Sequence, residues 1–187
     1  MTQKFEELKT SAVLSIVYMM AVSAKTAPKS RGADSVRIAV VTGSDKEKIA
    51  EAMHRTAQIT GDEHWHRDAV NVEQADAVLL LGIKRNETLG ANCGACGYPT
   101  CSEMLKAGGN GPFCAFKLLD LGVAAGSAAK TASILNLDTR IMFRAGAAAK
   151  QLKLIDADYL LGIPVSATEK NIFFDRTRET YEKHLKK

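Results

Sequence analysis

Apolar residues recur three and four apart at the start of the chain, at Phe5, Leu8, Ala12 and Ser15/Ile16. The pattern then closes into a largely apolar run, Ser11 to Ala24. That spacing predicts a buried helix over residues 2–24, ended by Pro28 and Gly32 in a polar loop. Val36 to Thr42 is short and β-branched, which predicts a strand. Ser44 with Glu47 has the form of a capping box for a helix carrying Ile49, Met53 and Ala57 on one face. A second short helix is expected from Trp65 to Gln74. Ala77 to Ile83 is apolar at every position, so it reads as a strand buried on both faces and central in its sheet. Helices are expected over Ala115–Leu135 and Ile141–Leu152, then a strand from Asp158 to Ile163 stopped by Pro164, then a helical tail from Asp175. Strands separated by long helices give an α/β or α+β layered domain. We take the α+β form: one domain over residues 1–187, with a central sheet flanked by long helices.

Composition narrows the class. With 187 residues, 46% hydrophobic and 25% charged, the chain can bury a core of ordinary size in a single domain. The net charge of +4 is spread along the sequence, and the basic stretch from Arg176 to Lys187 is interleaved with Glu179 and Glu182. Phosphate-backbone binding needs convergent cations, so nucleic acid is not expected as a partner. The apolar run of Ser11–Ala24 is too short to span a bilayer. Val22-Ser-Ala24 resembles a signal-peptidase site, but Glu6 and Glu7 cancel the positive charge that a signal peptide needs before its apolar core. The expectation is a cytoplasmic protein with no membrane contact.

Chemistry is concentrated in residues 84–114, a glycine-rich segment with little regular structure expected. All the cysteines of the chain lie there, as Cys93, Cys96, Cys101 and Cys114, in the spacing C-x2-C-x4-C-x12-C. Four thiolates are what an iron–sulfur cluster requires. Gly90, Gly94 and Gly97 let the backbone wrap a compact inorganic body and point N–H groups at its sulfurs. Phe113 and Phe116 flank the fourth cysteine and are expected to exclude water. Cys114 should open the following helix, where the dipole favours negative charge. The rival is a structural zinc site with four cysteine ligands, in a protein-interaction module without redox chemistry. Zinc sites usually come as two close pairs, and Cys101 and Cys114 are far apart for such a pair.

The motif Cys93-Gly-x-Cys96-Gly-x-Pro-Thr-Cys101 resembles the four-cysteine [4Fe–4S] domain of electron-transport complex subunits and corrinoid iron–sulfur proteins. In that domain the fourth cysteine lies further on, so Cys114 departs from its pattern. Over nearly its whole length the chain resembles an uncharacterised prokaryotic family of ferredoxin-domain proteins. The residues that carry this are Asn92–Cys101, Cys114–Gly122 and Gly162–Asp175. The resemblance implies a 4Fe–4S cluster and electron transfer, as an oxidoreductase or with a redox partner protein or flavin.

A weaker resemblance, to the nitroreductase fold, rests on Ala24-Lys-Thr-Ala-Pro28, on Asp120–Ser127 with Ala132–Leu137, and on Leu154 with Leu160-Leu-Gly-Ile-Pro164. It implies FMN and a homodimer. The phosphate clamp would fall to Lys25, Lys29, Ser30 and Arg31, with Arg176 contributing later. The N-terminal Arg-Arg-Ser pattern of that family is missing, since Phe5-Glu-Glu-Leu stands there. Gly122, Gly126 and Lys130 form one helix stripe, read as close helix packing. His64 and His66 stand two apart on a helix and so point different ways, which reads as surface histidines. No Ser–His–Asp or paired-carboxylate arrangement stands out.

Overall fold

The computed structural model describes residues 2–174. Helix α1 spans Phe5–Thr26, and β1 (Arg37–Val41) follows a loop with one 3-10 turn. Helices α2 (Gly43–Thr60) and α3 (Glu63–Gln74) lead to β2 (Ala77–Ile83). The cysteine segment holds the short helix α4 (Cys101–Lys106). Helix α5 (Ala115–Ile134), β3 (Asp138–Thr139), α6 (Phe143–Gln151) and β4 (Tyr159–Ser166) complete the described fold. The expected helical tail from Asp175 lies outside the described residues.

The sheet runs β1-β2-β4-β3 and every pairing is antiparallel, which makes the domain α+β as expected. β2 is central because it has no polar face to offer water. Leu79, Leu81 and Ile83 point to a core built with Val13, Val17 and Met20 of α1 and Leu121, Ala124 and Ala128 of α5. Val78 and Leu80 point the other way, to Ile49 and Met53 of α2, Val72 of α3 and Ala145 and Ala148 of α6. The two-residue period of the strand therefore builds two separate cores. The result is three layers, with α1 and α5 over one face and α2, α3 and α6 over the other.

Three local expectations are corrected. β4 does not stop at Pro164 but runs through it to Ser166. Gly162 exchanges both backbone bonds with Met142, on the side away from β2, and Pro164, two residues on, faces the same way. Its missing N–H is therefore not needed for the β2 ladder, and its carbonyl accepts from the Thr139 hydroxyl at 2.7 Å. The Ser44/Glu47 capping box does not form. The chain leaves β1 straight into α2, with extended Thr42 at the N-cap making no side-chain cap bond, so Ser44 falls inside the first turn. Third, α6 begins only at Phe143, because Asp138–Thr139 and Met142 are taken into the sheet.

Helix α6 lies unusually close to β4. A Cβ on Gly146 would overlap the Leu160 carbonyl, and one on Gly162 would stand 2.7 Å from the Ala145 Cβ. Gly146→Ala should therefore force α6 off the sheet. Overpacking of this kind costs about 1–3 kcal/mol, which lowers Tm by roughly 2–10 °C in a domain of this size. Thermal melts of the variant against the wild type check this.

Candidate metal centre

The cysteine segment leaves the sheet at the end of β2 and returns at the start of α5. Arg85 holds both ends. Its backbone N–H donates to Asp158 Oδ2 at 2.8 Å, and its guanidinium donates to the Gly111 carbonyl. The same guanidinium stacks 4.0 Å from the centre of the Phe113 ring, which meets Tyr159 edge-on at 5.8 Å. These contacts set the position of Cys114. It is the N-cap of α5, as expected, and its carbonyl accepts from the Leu118 N–H at 3.1 Å.

The other three cysteines are placed by turns. Around Cys93 and Cys96, Gly94 and Gly97 have φ of 71° and 89°, and the Gly97 N–H closes on the Gly94 carbonyl at 2.9 Å. That left-handed backbone is costly for residues with a Cβ. Thr100 caps α4 by accepting from the Glu103 N–H, which puts Cys101 in the first turn. Thr100 and Glu103 show that sequence signature for a helix start, and α4 was not expected. Asn92, at φ 48°, bends back so that its side-chain oxygen accepts from the Cys101 N–H at 2.8 Å.

The backbone N–H of Asn92 is also the main reason that the Cys101 thiol ionises below its ordinary range. Burial works against this, while the Thr88 hydroxyl and the N–H groups of Gly90 and Ala91 work for it. Residues 88–92 are thus a nest of donors aimed at one sulfur. Thr88 and Asn92 are partners of Cys101 whose part the motif pattern did not single out. An Asn that tolerates left-handed backbone, directly before the first cysteine, was the available signal.

All four cysteines line one narrow hollow of about 10 Å³, together with Leu89, Tyr98 and Met104. Cys114 is buried at its base, Cys96 and Cys101 are half-buried, and Cys93 is exposed. Among the described residues, no three His, Cys, Asp or Glu side chains converge closely enough to hold a single metal ion. The expected shielding by Phe113 and Phe116 is corrected, since neither lines the hollow. Phe113 instead packs against the core under α1 and α5.

Two of the flavin residues, Lys29 and Ser30, are committed to protein partners. The Lys29 ammonium donates to the carbonyls of Ala24, Lys25 and Ala27 at 2.7–2.9 Å. All three of its hydrogens serve to cap α1. Ser30 gives both its backbone N–H and its hydroxyl to Asp120 Oδ1 at 2.8 Å. Lys25 pairs with Asp34 at 2.5 Å, and Arg31 is exposed on a left-handed turn. Arg176 lies outside the described residues. Of the histidines, His66 Nδ1 meets His54 Nδ1 at 2.9 Å, whereas His64 faces Arg67. Gly122 and Gly126 correct the packing expectation, because nothing lies within 4 Å of a Cβ built on either.

An antiparallel sheet between two helical layers is also the fold of solved nitroreductases. Nitroreductase CinD from Lactococcus lactis, in complex with chloramphenicol, matches with a TM-score of 0.59 at 13% identity, covering 94% of this chain and 84% of that one. A nitroreductase with bound FMN from Desulfitobacterium hafniense matches with a TM-score of 0.54 at 13% identity, covering 83% and 78%. The chain has the nitroreductase fold. Its sequence is 48% identical over 176 residues to an uncharacterised protein of Archaeoglobus fulgidus, covering 91% of this chain and 95% of that one. Residues 110–176 match the model of a family described as uncharacterised proteins containing a ferredoxin domain, a span that includes Cys114 but not the other three cysteines. The chain belongs to this family.

Because hydrogen-bond donors favour the thiolate, Cys101 should react with iodoacetamide in metal-free protein with a pH midpoint below that of free cysteine. Thr88→Val removes one donor and should move the midpoint up. Mass spectrometry of peptides alkylated across a pH series reads both midpoints, and an unchanged value in the variant contradicts the nest.

Proposed function

We propose that the protein is an iron–sulfur redox protein in which Cys93, Cys96, Cys101 and Cys114 hold one 4Fe–4S cluster. The observation that carries this reading is that four thiols from one short segment line a single hollow. Zinc ligands usually come as two close pairs, and Cys101 and Cys114 are far apart for such a pair. Bound there, the cluster supplies one-electron transfer. The chain's own residues do the rest. Cys114 brings its sulfur to the positive end of α5. Residues 88–92 stabilise the Cys101 thiolate, and hydrogen bonds to sulfur are one of the levers that set a cluster's potential. Cys93 leaves one corner at the surface, where a redox partner protein reaches it. Thiols kept reduced for this purpose suit the cytoplasm.

The partner also includes a second copy of this chain. The outer face of α1 from Ser11 to Ala24 carries no charge, and Tyr18 and Val22 are 56% and 61% exposed. α5 adds Leu119, 62% exposed, beside Gly122 and Gly126, whose open Cβ positions permit close approach. Exposed apolar side chains on two packed helices favour an interface. Gel filtration with light scattering should give twice the chain mass, and Val22→Glu/Leu119→Glu should give the monomer. A monomeric wild type contradicts the pairing. FMN has only the fold behind it, since Lys29 and Ser30 are committed elsewhere, and no step is assigned to it.

Purification without oxygen tests the cluster. The expected result is a brown protein, bleached by dithionite, with iron and sulfide in equal amounts. Cys96→Ser should lose most of both while keeping its helical circular dichroism, because the two cores lie outside the segment. A colourless protein with stoichiometric zinc contradicts the redox reading and favours an interaction module.

A further inference from the structure

Helices α2 and α3 form a hairpin with no slack in its turn. Gly61, at φ 68°, ends α2 and donates its N–H to the Ala57 carbonyl at 2.8 Å. Asp62 follows at once as the N-cap of α3, accepting from the His64 N–H at 2.9 Å. The far end of the hairpin is pinned by Lys46 of α2. Its buried ammonium donates to the Glu73 carbonyl at 2.6 Å and to the Val72 carbonyl at 3.3 Å. Fixed at both ends, the two helices keep one register. That register brings His54 of α2 against two residues of α3, His66 and Glu73, which stand about two turns apart.

The group lies at the surface: His66 and Glu73 are exposed and His54 is half-buried. Glu73 Oε1 is 2.8 Å from His54 Nε2. A carboxylate only accepts, so Nε2 carries the hydrogen of the neutral ring and Nδ1 keeps its lone pair. That lone pair faces His66 Nδ1, 2.9 Å away, with the ring centres 4.7 Å apart and the planes inclined at 52°. A carboxylate behind one ring nitrogen, with the lone pair of the other left open, is how metal-ligating histidines are oriented. With metal–nitrogen bonds of about 2.0–2.1 Å, nitrogens 2.9 Å apart subtend about 90° at a shared ion. A tetrahedral ion takes about 110° and would need them about 3.4 Å apart. The right angle suits neighbouring positions of a square-planar or tetragonal ion, the geometry of copper(II) and nickel(II).

We propose that His54 and His66 bind a divalent ion of the nickel(II) or copper(II) class through their Nδ1 atoms, with Glu73 as the positioning residue behind His54. As the ion enters, the hydrogen between the two Nδ1 atoms is given up, and the neutral His66 ring carries its hydrogen on Nε2 instead. The other positions of the ion are filled by water, since no third His, Cys, Asp or Glu side chain converges there among the described residues. The site belongs to the helical layer on the opposite face of the sheet from α1 and α5, and it does not depend on what the cysteines hold.

Isothermal titration with nickel(II) chloride tests it, on anaerobically purified protein whose free thiols are blocked with iodoacetamide. One equivalent should bind with a Kd below about 100 µM. His54→Ala and His66→Ala should each weaken binding by about tenfold or more. Glu73→Ala should weaken it about tenfold, and Glu73→Gln, which keeps an acceptor against Nε2, should recover part of that loss. His64→Ala, in the first turn of the same helix, should bind like the wild type. No stoichiometric uptake up to about 1 mM nickel, or full affinity in both His54→Ala and His66→Ala, means a hydrogen-bonded pair only and overturns the proposal. A loss in His64→Ala equal to that in His66→Ala overturns it as well.

Discussion

Arg85 stands where β2 leaves the sheet, and each part of it is committed: the backbone N–H to Asp158, the guanidinium to Gly111, the face of the guanidinium to Phe113. Those three contacts pin both ends of a glycine-rich segment that has little core of its own. A loop of this length pays for order with chain entropy, and it has two anchored ends from which to do so. One is the mouth of the β2–β4 pair and the other is the N-terminus of α5. Loss of Arg85 would free Gly111 and Phe113 together, and Cys114 with them. The geometry of the other thiols is then local, set by two left-handed glycines, a capped turn at Thr100 and the Asn92 side chain.

The same region joins the metal centre to the loop after α1. Asp120, buried on α5, takes both donors of Ser30 and faces the buried Lys117, which reaches the Ala33 carbonyl. Breaking a buried charge pair is costly because it strands the survivor. The segment from Ser30 to Ala33 is thus held to the helix that Cys114 opens. This explains why residues that resemble a phosphate clamp in sequence act as fasteners in the fold. Lys29 caps a helix and Ser30 ties a loop, so their side chains point at protein.

Strong periodic signals survived the passage from sequence to structure. β2, apolar at every position, had to be central, and Cys114 at the head of a long Ala- and Leu-rich stretch had to be an N-cap. Pro164 misled because its effect depends on which way one imide nitrogen faces, and only the pairing of Gly162 with Met142 decides that. Phe113 misled because adjacency to Cys114 says nothing about which side of the chain its ring takes. The donors around Cys101 were hidden for a related reason. Most are backbone N–H groups of residues 90–92, which every residue but proline possesses, so only conformation distinguishes them. The gathering of the thiols was readable because all the chain's cysteines fall within one short segment.

The central claim is that the four thiols surround a body with several metal atoms. X-ray absorption at the metal edges of anaerobically purified protein addresses that directly, without relying on colour or on variants. The account predicts an iron edge with a first shell of sulfur and a second shell of iron neighbours. A zinc edge carrying four sulfurs at about 2.3 Å, with no metal neighbour beyond them, would contradict it.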